Sequence, residues 1–212
     1  ASSDAITLSS DGSCTVKATN KKNINLIVNG SMQVCQRSSG SVTNTGYRTV
    51  DRWKPQNGGL DEEITQKPTS LGASDAGPFE AGFRQALQIK NGNQTSGAGA
   101  GDYMEILYMI EAQDIACSGW DYTEPTSYIT LSFWVQSSVA QTYHCYLQTI
   151  DGTAQLYAFS YALSANTWTK VTKTIPGNAN LQFDYDTNSG LRLGWVPFYG
   201  TDYTSSGFTL NA

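Results

Sequence analysis

Four consecutive runs of alternating residues between Tyr128 and Ile175 constrain the fold most strongly. They read YITLSFWVQSS, QTYHCYLQTID, QLYAFSYALSA and TWTKVTKTIPG, and each is rich in β-branched and aromatic residues and ends at a turn signal. Such runs at a spacing of about 8–12 residues are typical of an antiparallel sandwich or barrel. The sequence therefore predicts an all-β protein.

Alternation also assigns the faces of these strands, because successive side chains of a strand point to opposite sides. The predicted core face of the first run consists of Ile129, Leu131, Phe133 and Val135. The other face is polar apart from Trp134, so Trp134 lies where burial is not required. In the third run one face carries Tyr157, Phe159, Tyr161 and Leu163. An aromatic sheet face suits stacking against a sugar or packing against another protein, and the sequence leaves both open.

Composition bounds the class of protein. The 212 residues fit one β domain, which we place at residues 23–212 after an N-terminal hairpin and linker at residues 1–22. Only 15% of residues are charged, the net charge is −5 and no Lys/Arg cluster occurs, which argues against nucleic acid as the partner. We expect no membrane insertion and no signal peptide, because no apolar run is long enough. The first residue is not methionine, which leaves open whether residues precede it.

The four cysteines, Cys14, Cys35, Cys117 and Cys145, are scattered and have no metal-like spacing. Their even number permits two disulfides, but isolated thiols are favoured, since cysteine behaves as a small hydrophobe in a core. We predict no metal and no cofactor.

Further elements are predicted along the chain. Short runs on either side of an Asp-Gly turn form the N-terminal hairpin. The further strands are predicted at Asn25–Val34, Glu62–Gln66, Phe83–Lys90, Asp102–Ile110 and Leu191–Tyr199. A bulge is expected at Asn29-Gly30, and Pro197 confines the last strand to an edge or a bulge. Glu111–Gly119 is the best helix candidate, ending at Gly119. Asp51, which lies near Arg48 and Arg52, predicts a local ion pair.

Several separated motifs resemble a module of tail-fibre and other virion surface proteins of tailed bacteriophages. They are ITLSSDGSCTV, NLIVNGSMQVCQR, GYRTVDRW, YITLSFWVQSSVAQTYHCYLQT, ALSANTWTKVTKTIPG and WVPF, and together they cover nearly the whole chain. The resemblance implies a jelly-roll β-sandwich of about ten strands, with one short helix and the N-terminal hairpin, like those of carbohydrate-binding modules. It also implies assembly with other virion subunits, as a homo-oligomer with a trimer favoured.

The chain departs from that pattern at two places. Carbohydrate-binding modules with this opening usually carry an acidic residue soon after the Asn-Gly, which helps to hold a calcium ion, whereas Ser31, Met32 and Gln33 follow here. Similar chains also continue beyond the equivalent of Phe208–Ala212 into another strand. We expect a neighbouring chain to pair with the resulting open edge, because proteins normally cover such edges.

Catalytic and metal-binding residues are not supported by any motif. His144 has no nucleophile or orienting acid at a recognisable spacing. The carboxylates of Asp61-Glu62-Glu63 and of Glu111/Asp114 have the spacing of ordinary solvated faces, although a carboxylate pair is the minimum for glycoside hydrolysis. Asp184–Asn188 offers oxygen donors for calcium, but an Asx-rich turn is favoured. We expect no enzymatic activity.

Five aromatic residues could form a glycan platform: Trp53, Trp134, Tyr146, Tyr157 and Tyr161. The alternative for each ring is packing in the core or in a subunit interface. Trp134 and Tyr146 are favoured as ligand contacts, since their strand neighbours point to the core. The leading hypothesis is a non-enzymatic virion protein in a tail fibre or surface appendage that binds host surface polysaccharide. The alternatives are a capsid decoration or cement protein without a ligand, and a carbohydrate-binding module of a larger cellular enzyme.

Overall fold

The computed structural model describes residues 6–8, 10, 12, 14–16 and 25–204. The strands in chain order are β1 (Ile6–Leu8), β2 (Cys14–Val16), β3 (Val42–Thr43), β4 (Trp53–Gly58), β5 (Thr65–Ser70), β6 (Gln85–Lys90), β7 (Tyr103–Glu111), β8 (Tyr128–Val135), β9 (Gln141–Thr149), β10 (Leu156–Leu163), β11 (Thr169–Pro176) and β12 (Ser189–Tyr199). Two short helices, α1 (Ala112–Ala116) and α2 (Thr201–Thr204), complete the secondary structure of these residues.

The strands form a sandwich of two layers. One layer is an antiparallel five-stranded sheet with the order β10-β9-β12-β7-β4. The other consists of the pair β11-β8 and the three-stranded sheet β3-β5-β6. The predicted fold class, an all-β jelly-roll sandwich, is confirmed. The four runs that opened the sequence analysis are β8 to β11, although β8 and β11 lie in one layer and β9 and β10 in the other.

The main core lies between the layers and follows the predicted alternation. Its buried members from the five-stranded sheet are Trp53, Tyr108, Ile110, Cys145, Leu147, Phe159, Leu191, Leu193 and Trp195. From the second layer, Leu131 and Ile175 are buried in the same cluster. Trp195 joins the layers, because its ring centroid lies 5.2 Å from that of Trp53 and 5.6 Å from that of Phe133. Such aromatic contacts add to the free energy gained by burying the rings.

The predicted strand at Asn25–Val34 is wrong, because residues 25–34 form turns. Asn29 and Met32 have positive φ angles of 57° and 58°, which are incompatible with a strand. The Asn29 side chain holds the turn: its amide donates to the carbonyls of Val34 and Asp51, and its oxygen accepts from the Val34 N–H. Local side-chain bonds of this kind compete with strand pairing.

Two further strands, β5 and β12, differ from prediction. β5 begins at Thr65 and continues to Ser70, although it contains Pro68. Pro68 lies opposite Leu87 of β6, whose N–H points away from β5 to the Met32 sulfur, so the missing N–H of Pro68 faces the side of β3. β3 pairs only with the first two residues of β5 and does not need that donor. β12 lies between β9 and β7 and is therefore a central strand, but the register shifts between Trp195 and Phe198. The bulge predicted from Pro197 is present, and the edge position is not.

The predicted helix is shorter than expected. α1 ends at Ala116, with Cys117 as the C-cap, so Gly119, at φ 81°, lies beyond the cap. Helix α2 had not been predicted. Asp51 forms its ion pair with Arg37, at 3.3 Å, and Arg52 instead faces Glu111 at 3.7 Å.

The predicted hairpin is present, since β1 pairs antiparallel with β2 in the register Ile6↔Val16 and Leu8↔Cys14. The division into a hairpin at 1–22 and a sandwich at 23–212 stays a prediction. The expected strand pairing at Phe208–Ala212 lies outside the described residues. No helix within the described part of the chain is long and apolar enough to cross a membrane.

Candidate functional site

A second apolar cluster marks the surface of the five-stranded sheet that points away from the other layer, which we call the outer face. Its buried members are Leu107, Tyr146, Ala158 and Val196, and its partly buried members are Met109, Leu156 and Tyr199. These residues alternate along their strands with the members of the main core. The outer face is therefore not a simple solvated surface, because it carries aromatic and aliphatic side chains packed against one another.

The carboxylate of Glu105 is the polar centre of the outer face. Glu105 is only 5% exposed, yet it accepts three hydrogen bonds. The Tyr146 hydroxyl donates at 2.8 Å and the Tyr199 hydroxyl at 2.7 Å, both to Oε2, while the Gln56 amide donates to Oε1. Hydrogen bonds compensate the cost of burying this polar group.

The two phenols are held in their protonated form. Burial raises the pKa of Tyr146, and the negative charge and hydrogen bond of Glu105 raise it further, while Arg192 partly opposes the shift. Burial likewise raises the pKa of Tyr199, and the hydrogen bond to Glu105 adds to the effect. Both hydroxyls are therefore neutral donors at physiological pH, and the carboxylate is fixed in orientation.

Three tyrosine rings cluster beside this centre. The centroid of Tyr103 lies 5.2 Å from that of Tyr203 and 6.5 Å from that of Tyr199, and Tyr199 lies 5.4 Å from Tyr203. Gly58 makes room for this cluster, since a β-carbon there would lie 2.5 Å from the Tyr103 ring. Tyr203 comes from helix α2 and is 38% exposed, so it presents aromatic surface to solvent.

A second polar group lies toward the other end of β12. Arg192 is half-buried, and its Nη1 is 3.4 Å from Gln148 Oε1 on the neighbouring strand. Its Nε is buried and has no hydrogen-bond partner. Between this arginine and Glu105, the ring of Tyr146 crosses over Gly194, where a β-carbon would lie 2.2 Å from the ring.

The structure brings only one of the five predicted platform residues into this site. Tyr146 lies on the outer face. Trp53, Tyr157 and Tyr161 instead lie in or against the main core, which is the packing role that the sequence analysis gave as the alternative to ligand binding. Trp134 points away from the core on the opposite side of the sandwich and is half-buried. Ligand binding by these five rings stays a prediction.

A loop covers Trp134. A β-carbon at Gly77 would lie 2.7 Å from its ring, and the adjacent loop residue Asp75 accepts a 3.1 Å hydrogen bond from Trp168 Nε1. Trp134 is thus in contact with the loop that the sequence predicted between residues 71 and 82, which reduces the ring area available to a ligand.

Sequence reasoning missed most of the outer face: Tyr103, Glu105, Arg192, Tyr199, Tyr203 and Gln56. A signal existed for part of it, since alternation along β7 places Tyr103, Glu105 and Leu107 on one side. No such signal joined them to Tyr199, which reaches the same face only through the bulge in β12.

Three of the carboxylates considered for catalysis, those of Asp61, Glu62 and Glu111, are engaged in hydrogen bonds or an ion pair outside the outer face. Asp61 accepts hydrogen bonds from the Ser96 amide and hydroxyl and from Thr95, which hold its pKa below the usual value. Glu62 accepts from the Asn93 amide. Glu62 and Glu63 line an open groove of about 640 Å³ at the edge of the three-stranded sheet. Glu111 faces Arg52 and accepts from Gln113.

The remaining polar candidates occupy ordinary positions. In the 184–188 segment, Asp186 accepts hydrogen bonds from the backbone and side chain of Asn188, as an Asx turn does. His144 is half-buried opposite Val196 and Ser160. Cys35, Cys117 and Cys145 are unpaired, and burial strongly raises the pKa of the Cys145 thiol. Within the described residues no group of three potential ligands could hold a metal ion.

Comparison with known proteins gives similar folds at low identity. No family model matches the chain. No curated protein matches it either. Similar solved structures include the enzymatically active domain of bacteriophage CBA120 tailspike protein 4, with 13% identity over 77% of this chain and 20% of that chain and a TM-score of 0.43. A structure described as "CBM4 structure and function" has 11% identity over 80% of this chain and 87% of that chain, with a TM-score of 0.40. The CBM22-1–GH10 modules of Clostridium thermocellum endo-1,4-beta-D-xylanase 10B, complexed with xylohexaose, have 11% identity over 76% of this chain and 27% of that chain, with a TM-score of 0.34.

The chain spans about a fifth of the tailspike chain and about a quarter of the xylanase chain. All three TM-scores are below 0.5.

Proposed function

We propose that this chain is a non-enzymatic glycan-binding module and that the outer face of its five-stranded sheet is the binding surface. The observation that carries the proposal is the exposed ring of Tyr203, which packs on Tyr103 and on Tyr199, whose hydroxyl the buried Glu105 fixes in place. Sugars are bound by stacking of their apolar faces on aromatic rings and by hydrogen bonds from their hydroxyls to oriented polar groups. The outer face offers the ring of Tyr203 for stacking, and the half-buried side chains of His144 and Gln148 for hydrogen bonding.

The rigidity of this surface favours binding. Glu105 and the hydroxyls of Tyr146 and Tyr199 are fixed by their mutual hydrogen bonds and by packing in the second cluster. A ligand therefore has few side chains to order, which lowers the entropic cost of association. The most exposed ring, Tyr203, is also in contact with both Tyr103 and Tyr199.

The proposal places the module on a virion surface, in a tail fibre or similar appendage, as a homo-oligomer that contacts host polysaccharide. The sequence motifs that resemble virion surface proteins support this location. Glu105 is bonded to two tyrosines and a glutamine, whereas glycoside hydrolysis needs two cooperating carboxyl groups. The absence of enzymatic activity is part of the proposal.

Binding to immobilised bacterial surface polysaccharides tests the proposal. Tyr203→Ala should lower the affinity about three- to tenfold, the range expected for one aromatic contact. Tyr185→Ala is the matched control, because Tyr185 is 78% exposed on a different loop. Failure of the protein to bind any glycan, or equal effects of the two variants, would overturn the proposal. Release of shorter oligosaccharides, measured by mass spectrometry, would overturn its non-enzymatic part.

A further inference from the structure

Two cations on the outer face have no counter-ion among the described residues. Arg192 on β12 and Lys54 on β4 are both half-buried, and neither lies within 4.0 Å of a carboxylate oxygen of a described residue. The described ion pairs involve Arg37 with Asp51 and Arg52 with Glu111. Most other described cations also lack a carboxylate partner, so Arg192 is distinguished by its buried, unpartnered Nε and by its place on the outer face.

The guanidinium of Arg192 is also incompletely hydrogen-bonded. Its Nη1 makes one long contact of 3.4 Å with Gln148, and its Nε is buried without an acceptor. A buried donor without a partner is unfavourable, because nothing compensates the loss of its hydration. The guanidinium fork matches the two oxygens of a carboxylate better than it matches a single amide oxygen.

The position of Arg192 separates it from the negative centre. Arg192 pairs with Met109 on β7, four residues from Glu105, so the two backbone positions are about 13 Å apart along the strand and the side chains form no ion pair. Glu105 is moreover 5% exposed and accepts from three donors, so its charge is well shielded from a ligand. The outer face thus has Arg192 toward one end and an aromatic end at Tyr103, Tyr199 and Tyr203, while Lys54 lies between them on the edge strand β4.

We infer that the outer face selects polysaccharides that contain hexuronate residues, with Arg192 binding the sugar carboxylate while another sugar of the same chain stacks at the aromatic end. This inference rests on the proposed function and names its ligand class. Lys54 adds to the attraction at longer range, because it lies on the same face opposite Leu107, midway along β7 between Met109 and Glu105. An arginine–carboxylate contact also gives the preference a dependence on ionic strength.

Titration with polygalacturonate and with its carboxyl-reduced, neutral counterpart tests this inference. The wild-type protein should bind the acidic polymer about tenfold more tightly, and rising salt should reduce the difference. Arg192→Gln should abolish the preference while binding of the neutral polymer is retained. Arg192→Lys should keep part of the preference, because the charge remains and the fork is lost.

Lys170→Gln is the matched control, since it removes the same charge from an exposed position on β11 in the other layer. Equal affinity for the acidic and reduced polymers, or an unchanged preference in Arg192→Gln, would overturn the inference while leaving the proposed function intact. A higher affinity for dextran sulfate than for dextran, without a higher affinity for polygalacturonate than for its reduced form, would overturn the assignment of a carboxylate as the bound group. Absence of binding to every polymer would instead overturn the proposed function itself.

Discussion

The hydroxyl of Tyr146 donates a 2.8 Å hydrogen bond to Glu105, although β12 separates the strands that carry the two residues. The contact is possible because Gly194 on β12 leaves space for the Tyr146 ring to cross the strand. A glycine in a central strand normally weakens it, and here it allows the close approach of an aromatic ring. Four strands, β4, β7, β9 and β12, thereby contribute to one hydrogen-bonded centre.

Gly194→Ala should disrupt this centre. The new β-carbon would lie 2.2 Å from the Tyr146 ring, so the ring must move away from Glu105. We expect a loss of roughly 1–3 kcal/mol in the free energy of unfolding, as for overpacked cores, together with weaker glycan binding. Urea unfolding and titration measure the two effects. The double variant Gly194→Ala/Tyr146→Ala should lose much less than the sum of the single losses, and strict additivity would contradict the proposed contact.

Glu105→Gln should destabilise the protein more than a substitution at an exposed carboxylate. Glutamine presents an amide donor toward a group of three donors, so hydrogen bonds worth about 2–3 kcal/mol are lost. Glu111→Gln in the same strand is the control. Its contact with Arg52 is 3.7 Å long and partly exposed, so we expect less than about 1 kcal/mol. Chemical unfolding of both variants provides the comparison, and equal losses would show that Glu105 does not anchor the outer face.

The strands of the sandwich could be predicted where dense alternation coincides with turn signals. β8 to β11 satisfy both conditions, and the face of each residue in β8 and β10 follows from the period of two. The turn at residues 25–34 could not be predicted in this way, because its β-branched and apolar residues have the composition of a strand. The backbone there is determined by the Asn29 side chain and its contact with Asp51, which is distant in sequence.

The candidate site was only partly predictable because it depends on which strands are neighbours. Tyr146 was identified from alternation alone, but Glu105 belongs to the site because β12 pairs with both β7 and β9. The bulge in β12 is a further condition. Without the shift between Trp195 and Phe198, Tyr199 would face the main core and could not donate to Glu105.

A pair of glycine substitutions tests whether the 71–82 loop packs on Trp134. Gly77 and Gly82 have positive φ angles of 96° and 93°, so alanine is strained to a similar degree at both. Only at position 77 would the new β-carbon meet the Trp134 ring, at 2.7 Å, whereas nothing lies within 4 Å at position 82. Gly77→Ala should therefore be the more destabilising by about 1 kcal/mol or more.

Thermal or urea unfolding of the two alanine variants measures this difference directly. Repeating the comparison in a Trp134→Ala background should remove it, because the obstructing ring is then absent. If the two glycine variants are equally stable in the wild-type background, the loop does not rest on the tryptophan.

The buried phenols of the outer face should make stability fall at alkaline pH. The pKa values of Tyr146 and Tyr199 are raised in the folded state above the usual value of 10.0, first by burial and then by Glu105. The native state therefore retains protons that the unfolded state releases. Their contribution to stability is complete below pH 10 and is lost as the pH rises from there toward the folded pKa values, by at most about 1.4 kcal/mol per pH unit for each phenol.

Urea unfolding between pH 8 and pH 11 measures this loss. Tyr146→Phe and Tyr199→Phe should each reduce the slope above pH 10, and the double variant should reduce it most. Some slope should persist, since burial also raises the pKa of Tyr161 in the main core. A double variant that loses stability as steeply as the wild type would show that these two hydroxyls are not held protonated by their burial beside Glu105.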